Sequence, residues 1–240
     1  MGLVRYLAAF LFIIALPVAL ITTTVRVVVN EPRLYEYATD NYDTPETTGI
    51  AREELLRASD ELLEYFNNDE VEIFVRVEKD GEFIRLFNDR ETAHLRDVKT
   101  LFQSSFRVQE ASVIFVLAYV VAVFIWAREG SLRTLARQVL LSGLASLAAV
   151  GVVGAIAVSG FHQAWDQFHQ IAFSFTDNPW QFNTARDHLI QMFPEAFWQD
   201  TSLWVGLAII VELASLALLS AAYLRLTRPS SAQHTPPQGS

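Results

Sequence analysis

The amino-acid sequence predicts an integral membrane protein with four transmembrane α-helices and a small extracytoplasmic α+β domain. Its 240 residues are 52% hydrophobic, which is high for a soluble protein. Four apolar runs approach the roughly 20 residues that an α-helix needs to cross a bilayer. They lie near residues 7–29, 108–127, 139–158 and 203–224.

The first run is interpreted as an uncleaved membrane anchor. Arg5 precedes it, as a basic residue precedes a signal peptide. However, no A-x-A cleavage signal follows, and the apolar character continues to Val29, beyond a typical signal-peptide core. With the other three runs it predicts a four-helix transmembrane domain made of residues 1–29 and 108–227.

Basic residues indicate how the predicted helices are oriented. They cluster before the first run, between the second and third, and after the fourth, as Arg5, Arg128, Arg133, Arg137, Arg225 and Arg228. The positive-inside rule therefore puts both termini and the short loop in the cytoplasm. Residues 30–107, as an α+β domain, and the aromatic and histidine-rich residues 159–202 then face outward. The Pro/Ser/Gln-rich residues 228–240 are predicted to be a disordered cytoplasmic tail.

Local patterns predict both helix and strand in residues 30–107. The stretch "NEPRLYEYATDNYDTPETTG" is interpreted as a loop, and leucines at helical spacing in "IAREELLRASDELLEYFNN" predict a helix. The segments "VEIFVRVE" and "EFIRLF", joined by Asp80 and Gly81, predict a β-hairpin. Asn88, with Glu91 three residues later, resembles a capping box that starts a helix leading to the second run.

The charge distribution excludes several classes of partner. The net charge is −9, and residues 30–106 alone carry 19 acidic against 9 basic side chains. An acidic surface repels nucleic acid and anionic lipid headgroups, so neither is expected to bind there. The chain has no cysteine, which excludes a thiol nucleophile and any disulfide.

Two groups of residues in the outward segments are candidates for proton-transfer chemistry. His94 and Asp97 are three residues apart on a predicted helix, so the carboxylate could orient the imidazole as a base. His162, Asp166 and His169 follow the i, i+4, i+7 pattern of one helix face. The alternatives are a surface histidine beside a carboxylate and an amphipathic helix at the membrane interface.

Glu212 lies near the middle of the fourth apolar run. An ionisable group at that depth is costly and is a functional candidate by default. A structural role, with Arg26 as a conceivable partner, is the alternative interpretation. No HExxH motif occurs, so a zinc site would need ligands gathered from separate segments. No GxSxG or SxxK motif occurs, so a serine nucleophile has no support.

Two stretches resemble the lipoprotein intramolecular transacylases (Lit) of bacterial membranes. The first, "ETAHLRDVKTLF" at residues 91–102, is similar to a histidine motif of that family. The second is "FHQIAFSFTDNPWQFNTARDHLIQMFPEAFWQD" at residues 168–200. It is similar to the family's Phe-His motif, which is followed by Trp, Asp, Leu-Ile and Phe-Pro. The predicted four-helix layout around an outward domain also agrees with the family.

The resemblance implies an enzyme of the bacterial cell membrane with its active site on the extracytoplasmic side. Such enzymes move the sn-2 acyl chain of an S-diacylglyceryl cysteine onto the α-amine of the same cysteine, giving a lyso-form lipoprotein. A diacylated lipoprotein and membrane lipid are then the partners, and no cofactor is needed. The family's two functional histidines correspond to His94 and His169. The other matching motif positions are Asp97, Lys99, Trp180, Asp187 and Pro194.

This chemistry imposes a geometric requirement on the helix that begins near Asp89. If that helix ran straight into the second apolar run, His94 would stand about 14 residues, or roughly 20 Å, above it. We therefore expect a bend or a break near Gln103, Ser104 and Ser105 that brings His94 toward His169, with residues 159–200 folding back over the same place.

Two other functional classes remain open at this point. One is a non-enzymatic membrane sensor or assembly factor whose acidic outer domain binds a protein partner. The other is a metal-dependent membrane hydrolase that uses His94, His162 and His169.

The predicted orientation is testable with reporter fusions. Fusions at Gly81 and Asn178 should report an external location, and a fusion at Gly130 a cytoplasmic one, because the short loop carries three arginines against a single acidic residue, Glu129. A cytoplasmic signal at Gly81 would contradict both the topology and an extracytoplasmic active site.

Overall fold

The protein consists of four long helices and a smaller polar part, made of the shorter helices, a β-hairpin and the segments that join them; we call this part the polar half. The structure is a computed structural model that describes residues 2–125 and 131–228. In chain order, the described elements are α1 (Gly2–Val29), α2 (Pro32–Asn41), α3 (Thr44–Thr48), α4 (Arg52–Asn67), β1 (Arg76–Lys79), β2 (Glu82–Arg85), α5 (Asp89–Ile125), α6 (Ser131–Ser159), α7 (Phe161–Ala172), α8 (His188–Met192) and α9 (Glu195–Leu226). Residues 229–240 of the predicted tail and Arg128 of the predicted loop lie outside the described residues.

The helices α1, α5, α6 and α9 are each long and apolar enough to cross a membrane. They contain the apolar runs of the sequence, the second of them as far as Ile125, and they pack together chiefly as α1 on α5 and α6 on α9. At Gly143 of α6, an added Cβ would meet the Ala217 Cβ and the Leu213 carbonyl oxygen of α9, each at 3.3 Å. A small residue here therefore lets the two backbones approach closely.

The polar half has its own hydrophobic core, which two distant parts of the chain build together. Buried side chains of α2, α4 and the hairpin pack against those of α8 and the start of α9. The chief members are Leu55, Leu62, Tyr65, Val75, Val77, Leu86, Phe87, Met192, Phe193 and Phe197. A two-stranded hairpin is not stable alone, so β1 and β2 depend on this shared core.

The expectation of a loop in residues 30–49 is wrong, because this stretch forms α2 and α3. Its polar and turn-forming residues act as helix ends. The Glu31 side chain caps α2, where Pro32 occupies the first turn, and the backbone N–H of Gly49 closes α3 on the Pro45 carbonyl. Gly49 has φ 67°, which suits glycine at a helix end.

The hairpin forms as the sequence predicts. Lys79 pairs with Glu82, leaving Asp80 and Gly81 as a two-residue turn with φ values of 55° and 82°. Positive φ at both positions is what a tight hairpin of right-handed twist requires. Paired strand residues are confined to Arg76–Lys79 and Glu82–Arg85, which is shorter than the predicted segments.

The expected break in the helix carrying His94 does not occur. The helix α5 runs unbroken for 37 residues from Asp89 to Ile125 and contains neither glycine nor proline. Sharp kinks need such residues or an inserted group. Instead, Gln103 donates to the Asn68 carbonyl at 3.1 Å, on the outside of a continuous helix.

The neighbouring helices remove the geometric difficulty that motivated the bend. Tyr119 of α5 donates to Gln138 of α6 at 3.1 Å. Because α6 runs antiparallel to α5 and stays apolar to Val158, its apolar surface reaches about the level of residue 99 of α5. His94 therefore lies only about 8 Å beyond that surface.

Glu212 and Arg26 do not pair, so the partner that the sequence suggested is wrong. Thr24 of α1 donates to both carboxylate oxygens of Glu212 at 3.0 Å. Arg26, two residues further along α1, points to α5 and donates to Gln109 and Glu110, each at 2.9 Å. A rotation of about 200° between residues i and i+2 of a helix gives the two side chains different neighbours.

The predicted capping box forms and also joins the two parts of the polar half. The Asn88 side chain accepts from the Glu91 N–H at 3.1 Å, and Glu91 Oε2 accepts from the Asn88 N–H at 2.7 Å. Glu91 Oε1 accepts from the Leu189 N–H of α8 at 2.6 Å. Glu91 is only 1% exposed, so one buried carboxylate begins α5 and fastens α8 beside it.

We expect Glu91→Ala to lower thermal stability markedly. It leaves two backbone N–H groups without an acceptor, at a cost of about 1–3 kcal/mol for each buried donor. Glu91→Gln keeps an acceptor oxygen and should cost less. Thermal unfolding in detergent measures both, with the exposed Glu64→Ala on α4 as the matched control. Equal unfolding temperatures for Glu91→Ala and Glu64→Ala would contradict this role.

Candidate active site

His94 and His169, 75 positions apart in the sequence, are neighbours in the structure. Their ring centroids are 6.0 Å apart and the ring planes are inclined by only 24°. His94 lies one turn into α5, and His169 lies near the end of α7. The chain reaches this arrangement because α7 begins directly after α6 and the segment that follows it folds back across α5.

Aromatic side chains surround the two imidazoles. Phe173 and Phe182 meet the His94 ring edge-on, with centroids at 5.1 and 5.4 Å. Trp180 stacks on His169 at 4.6 Å, inclined by 22°. Both histidines are almost fully buried, at 7% and 6% exposure. The site is therefore an apolar enclosure that holds two titratable rings.

Burial controls the protonation of the pair. Burial first, and then the charge of the neighbouring His169, lowers the pKa of His94 to about 4. Burial also lowers the pKa of His169, although its hydrogen bond to the Trp165 carbonyl acts in the opposite direction. Both imidazoles are therefore neutral near pH 7 and able to accept a proton.

One hydrogen bond selects the tautomer of His169. Its Nδ1 lies 2.9 Å from the Trp165 carbonyl oxygen, one turn earlier in α7. A carbonyl only accepts hydrogen bonds, so Nδ1 carries the proton in the neutral ring. The Nε2 atom of His169 is consequently left with a free lone pair, which is the state that a general base requires.

Asp97 does not orient His94, contrary to the sequence-based expectation. Its Oδ2 accepts a hydrogen bond from the Asn178 side chain at 2.9 Å, and no hydrogen bond joins it to His94 in the described part of the chain. The carboxylate acts instead on the irregular segment 173–182, which carries Phe173, Trp180 and Phe182. Asp97 thus holds the segment that carries the aromatic side chains.

Lys99 and Asp187 support the site from outside it. Lys99 donates to the Asn68 side chain at 2.8 Å and to the Glu70 carbonyl at 2.6 Å, which fixes the connection after α4. Asp187 accepts from the Asn88 side chain at 3.0 Å and from the Asn183 N–H at 2.7 Å. These contacts fasten the connection after α4 to α5, and the segment before α8 to the residue that precedes α5.

His162 is separate from the other two histidines. Its side chain is 72% exposed, and its Nδ1 lies 2.8 Å from Glu195 at the start of α9. The hydrogen bond to Glu195 raises the pKa of His162. Asp166 lies 3.6 Å from its Nε2. Within residues 2–125 and 131–228, no three His, Cys, Asp or Glu side chains converge on a metal-sized site. The hydrolase hypothesis that combined His94, His162 and His169 therefore has no geometric support.

Several residues at the site carried no clear signal in the sequence. Asn178, Phe173 and Phe182 lie in a stretch without helix or strand periodicity, so their distance from His94 was not predictable. Arg90 is another, because its side chain donates to the Gln181 carbonyl at 3.2 Å and lies over the Phe182 ring. The concentration of aromatic residues after His169 was the only available indication.

Comparisons with known proteins agree with this architecture. A relative from Aquifex aeolicus (strain VF5), described as an uncharacterized protein, is 27% identical over 207 residues, or 85% of this chain and 88% of the relative. The in meso structure of the membrane integral lipoprotein intramolecular transacylase Lit from Bacillus cereus superposes with a TM-score of 0.75 at 18% identity, covering 95% of this chain and 100% of that one.

Two variants of the Bacillus cereus protein, each with one histidine substituted, give TM-scores of 0.71 and 0.69 at 16% identity. Each comparison covers 95% of this chain and 96% of the variant chain. At this level of identity the likeness establishes a shared fold. The sequence model of the family described as "Lipoprotein intramolecular transacylase Lit" matches residues 10–198. With most of its length matched, this chain belongs to the Lit family and is, as its sequence predicted, a membrane protein.

Proposed function

We propose that this protein moves the sn-2 acyl chain of a diacylglyceryl-cysteine lipoprotein onto the α-amine of the same cysteine. The observation that carries the proposal is the pair of neutral, buried imidazoles of His94 and His169 in a member of the Lit family. We further propose that the pair faces the extracytoplasmic side, with both termini in the cytoplasm, because of the arginine distribution.

The reaction balances without a cofactor or an external donor. The amine nitrogen forms a bond to the acyl carbonyl carbon, and the bond from that carbon to the sn-2 glycerol oxygen breaks. The nitrogen loses one proton and the glycerol oxygen gains one. One imidazole can take the proton from the amine nitrogen and then give it to the glycerol oxygen, as in other acyl transfers through a tetrahedral intermediate.

We assign the proton transfer to His169. Its Nδ1 is engaged by the Trp165 carbonyl, which leaves Nε2 free to take the amine proton and return it to the leaving oxygen. His94, neutral and beside it, is suited to donate an N–H hydrogen bond to the oxyanion of the intermediate. Since nucleophile and ester belong to one molecule, correct positioning supplies much of the acceleration.

The aromatic surroundings suit a lipid substrate. Phe173, Trp180 and Phe182 exclude water from the imidazoles, which strengthens hydrogen bonds to a developing oxyanion. A dry site also limits attack by water, so that the acyl group reaches the amine and is not lost as a fatty acid. This favours transfer over hydrolysis.

The lowered histidine pKa values predict the pH dependence of the reaction. A base works in its neutral form, so the rate should rise with pH through a pKa below the ordinary histidine value of 6.5. A second rise, from the substrate α-amine, is expected at about pH 7.7–8.0. Rates measured from about pH 4 to 9 with lipopeptides of different amine pKa distinguish the histidine rise from the amine rise, because only the rise caused by the amine shifts with the amine pKa. A single fixed limb at 6.5 or above would contradict the burial argument.

The two histidines should act as one catalytic unit. His94→Ala and His169→Ala should each lower turnover by on the order of 10²–10⁴-fold, with the double variant hardly worse, because groups that act together are not additive. Asp97→Asn should be milder, since an amide oxygen still accepts from Asn178. The measurement is conversion of a diacylated lipopeptide to its lyso form, without mass change, by purified protein.

His162→Ala is the matched control for the histidine variants, since His162 is exposed and paired with Glu195. It should retain most activity. Near-full activity of both single variants would remove the catalytic pair. Complete inactivity of the folded wild-type protein on lipopeptides would favour the non-enzymatic sensor or assembly factor.

A further inference from the structure

The helix α7 exposes an apolar ridge beside the histidine pair. Phe168 and Ile171 lie three residues apart on one face of α7, Phe175 lies in the turn that follows the helix, and all three side chains are exposed. Ile171 is 77% exposed, which is a large apolar surface to leave in water. We name these three side chains the α7 ridge.

The side of α7 that carries Trp165 and His169 packs against the protein. Trp165 stacks on Trp198 of α9 with centroids at 5.4 Å, and His169 packs on His94 of α5. These contacts fix the rotation of the helix about its axis. The outward direction of the α7 ridge is therefore a consequence of tertiary packing, since α7 cannot turn to bury it.

The α7 ridge continues the apolar exterior of a membrane-crossing helix. α7 begins at Phe161, one residue after α6 ends. The last turns of α6 expose Ile156 and Val158, which belong to the surface that a membrane-crossing helix presents to lipid. The step between the two apolar surfaces is only Ser159 and Gly160.

The rest of the exposed face of α7 is polar in a way that suits an interface. Gln163, Gln167 and Gln170 are exposed and lie beside the α7 ridge. A short helix with an apolar edge, aromatic rings and a polar edge lies in the plane between headgroups and acyl chains. The acidic surface of residues 30–106 does not oppose this placement, because contact through the ridge is apolar.

We propose that the α7 ridge contacts the acyl chains of bilayer lipid, so that α7 lies in the membrane interface on the side of the histidine pair. Phe168 directly precedes His169, which places that imidazole at the depth of lipid ester groups. The inference concerns membrane placement and does not depend on the reaction being correct. It commits to lipid as the occupant of this face.

The absence of cysteine from the sequence makes a clean experiment possible. Single cysteines are introduced as Ile171→Cys and Phe175→Cys on the ridge, and as Gln163→Cys and Gln170→Cys on the polar edge as controls. Each variant of the full chain is spin-labelled and reconstituted in lipid nanodiscs. Collision of each label with oxygen, which partitions into acyl chains, is compared with collision with a water-soluble nickel chelate. Folding is checked by thermal unfolding before labelling.

The two ridge labels should show an oxygen-to-nickel accessibility ratio several-fold above that of the two control labels. Equal ratios at all four positions, with high nickel accessibility, would place the ridge in water and overturn the proposal. Low accessibility to both reagents at the ridge would show that protein covers it, either another segment or a second copy, and would also overturn it. Because activity is not the readout, these outcomes stand apart from any failure of the proposed acyl transfer.

Discussion

The attachment of residues 173–193 to the first turns of α5 is the interaction on which the rest of the polar half depends. Glu91 caps α5 and accepts the Leu189 N–H, while Asn88 donates to Asp187. A buried carboxylate that accepts two backbone N–H groups satisfies donors that water cannot reach. This small set of hydrogen bonds brings one end of α5 against a segment 98 or 99 residues later in the chain, and the histidine pair lies near that junction.

Desolvation then defines the chemistry of the pair. The same aromatic rings that hold His94 and His169 in place also keep water from them, so structure and reactivity have one physical cause. The pKa of the exposed His162 shifts in the opposite direction, because its hydrogen bond to Glu195 raises it. Two histidines of one short helix, seven residues apart, thus have different protonation behaviour because only one of them is enclosed.

The relation of the site to the membrane follows from unequal helix heights. In α5, His94 lies well outside the apolar run of the helix. However, the neighbouring α6 stays apolar to Val158, and α7 begins directly after α6. An unbroken α5 is therefore compatible with a site near the level of the lipid, because the neighbouring helices, and not α5, extend the apolar surface toward His94. Asp97 accepts a hydrogen bond from Asn178 and so fixes the segment that covers the histidine pair. Its carboxylate is not hydrogen-bonded to His94 in the described part of the chain.

The sequence by itself determined the features that depend on neighbouring residues. Four apolar runs, the turn at Asp80 and Gly81, and the capping box at Asn88 and Glu91 all formed, since each depends on hydropathy or on backbone preferences over a few positions. The motifs around His94 and His169 were also sufficient to indicate the family, which the match over residues 10–198 confirms. The prediction from local sequence was wrong for α2 and α3, where polar residues that suggested a loop lie at the ends of helices.

Only the tertiary structure decided which distant groups meet. The partners of Asp97, Arg26 and Glu212 were not those that the sequence suggested, because a side chain's neighbour depends on which helix packs against its face. The enclosure of His94 by Phe173 and Phe182 depends on a segment without periodicity, whose path is fixed by hydrogen bonds to α5. Periodicity encodes the faces of single elements, whereas the pairing of faces is encoded by packing and buried polar contacts across the whole chain.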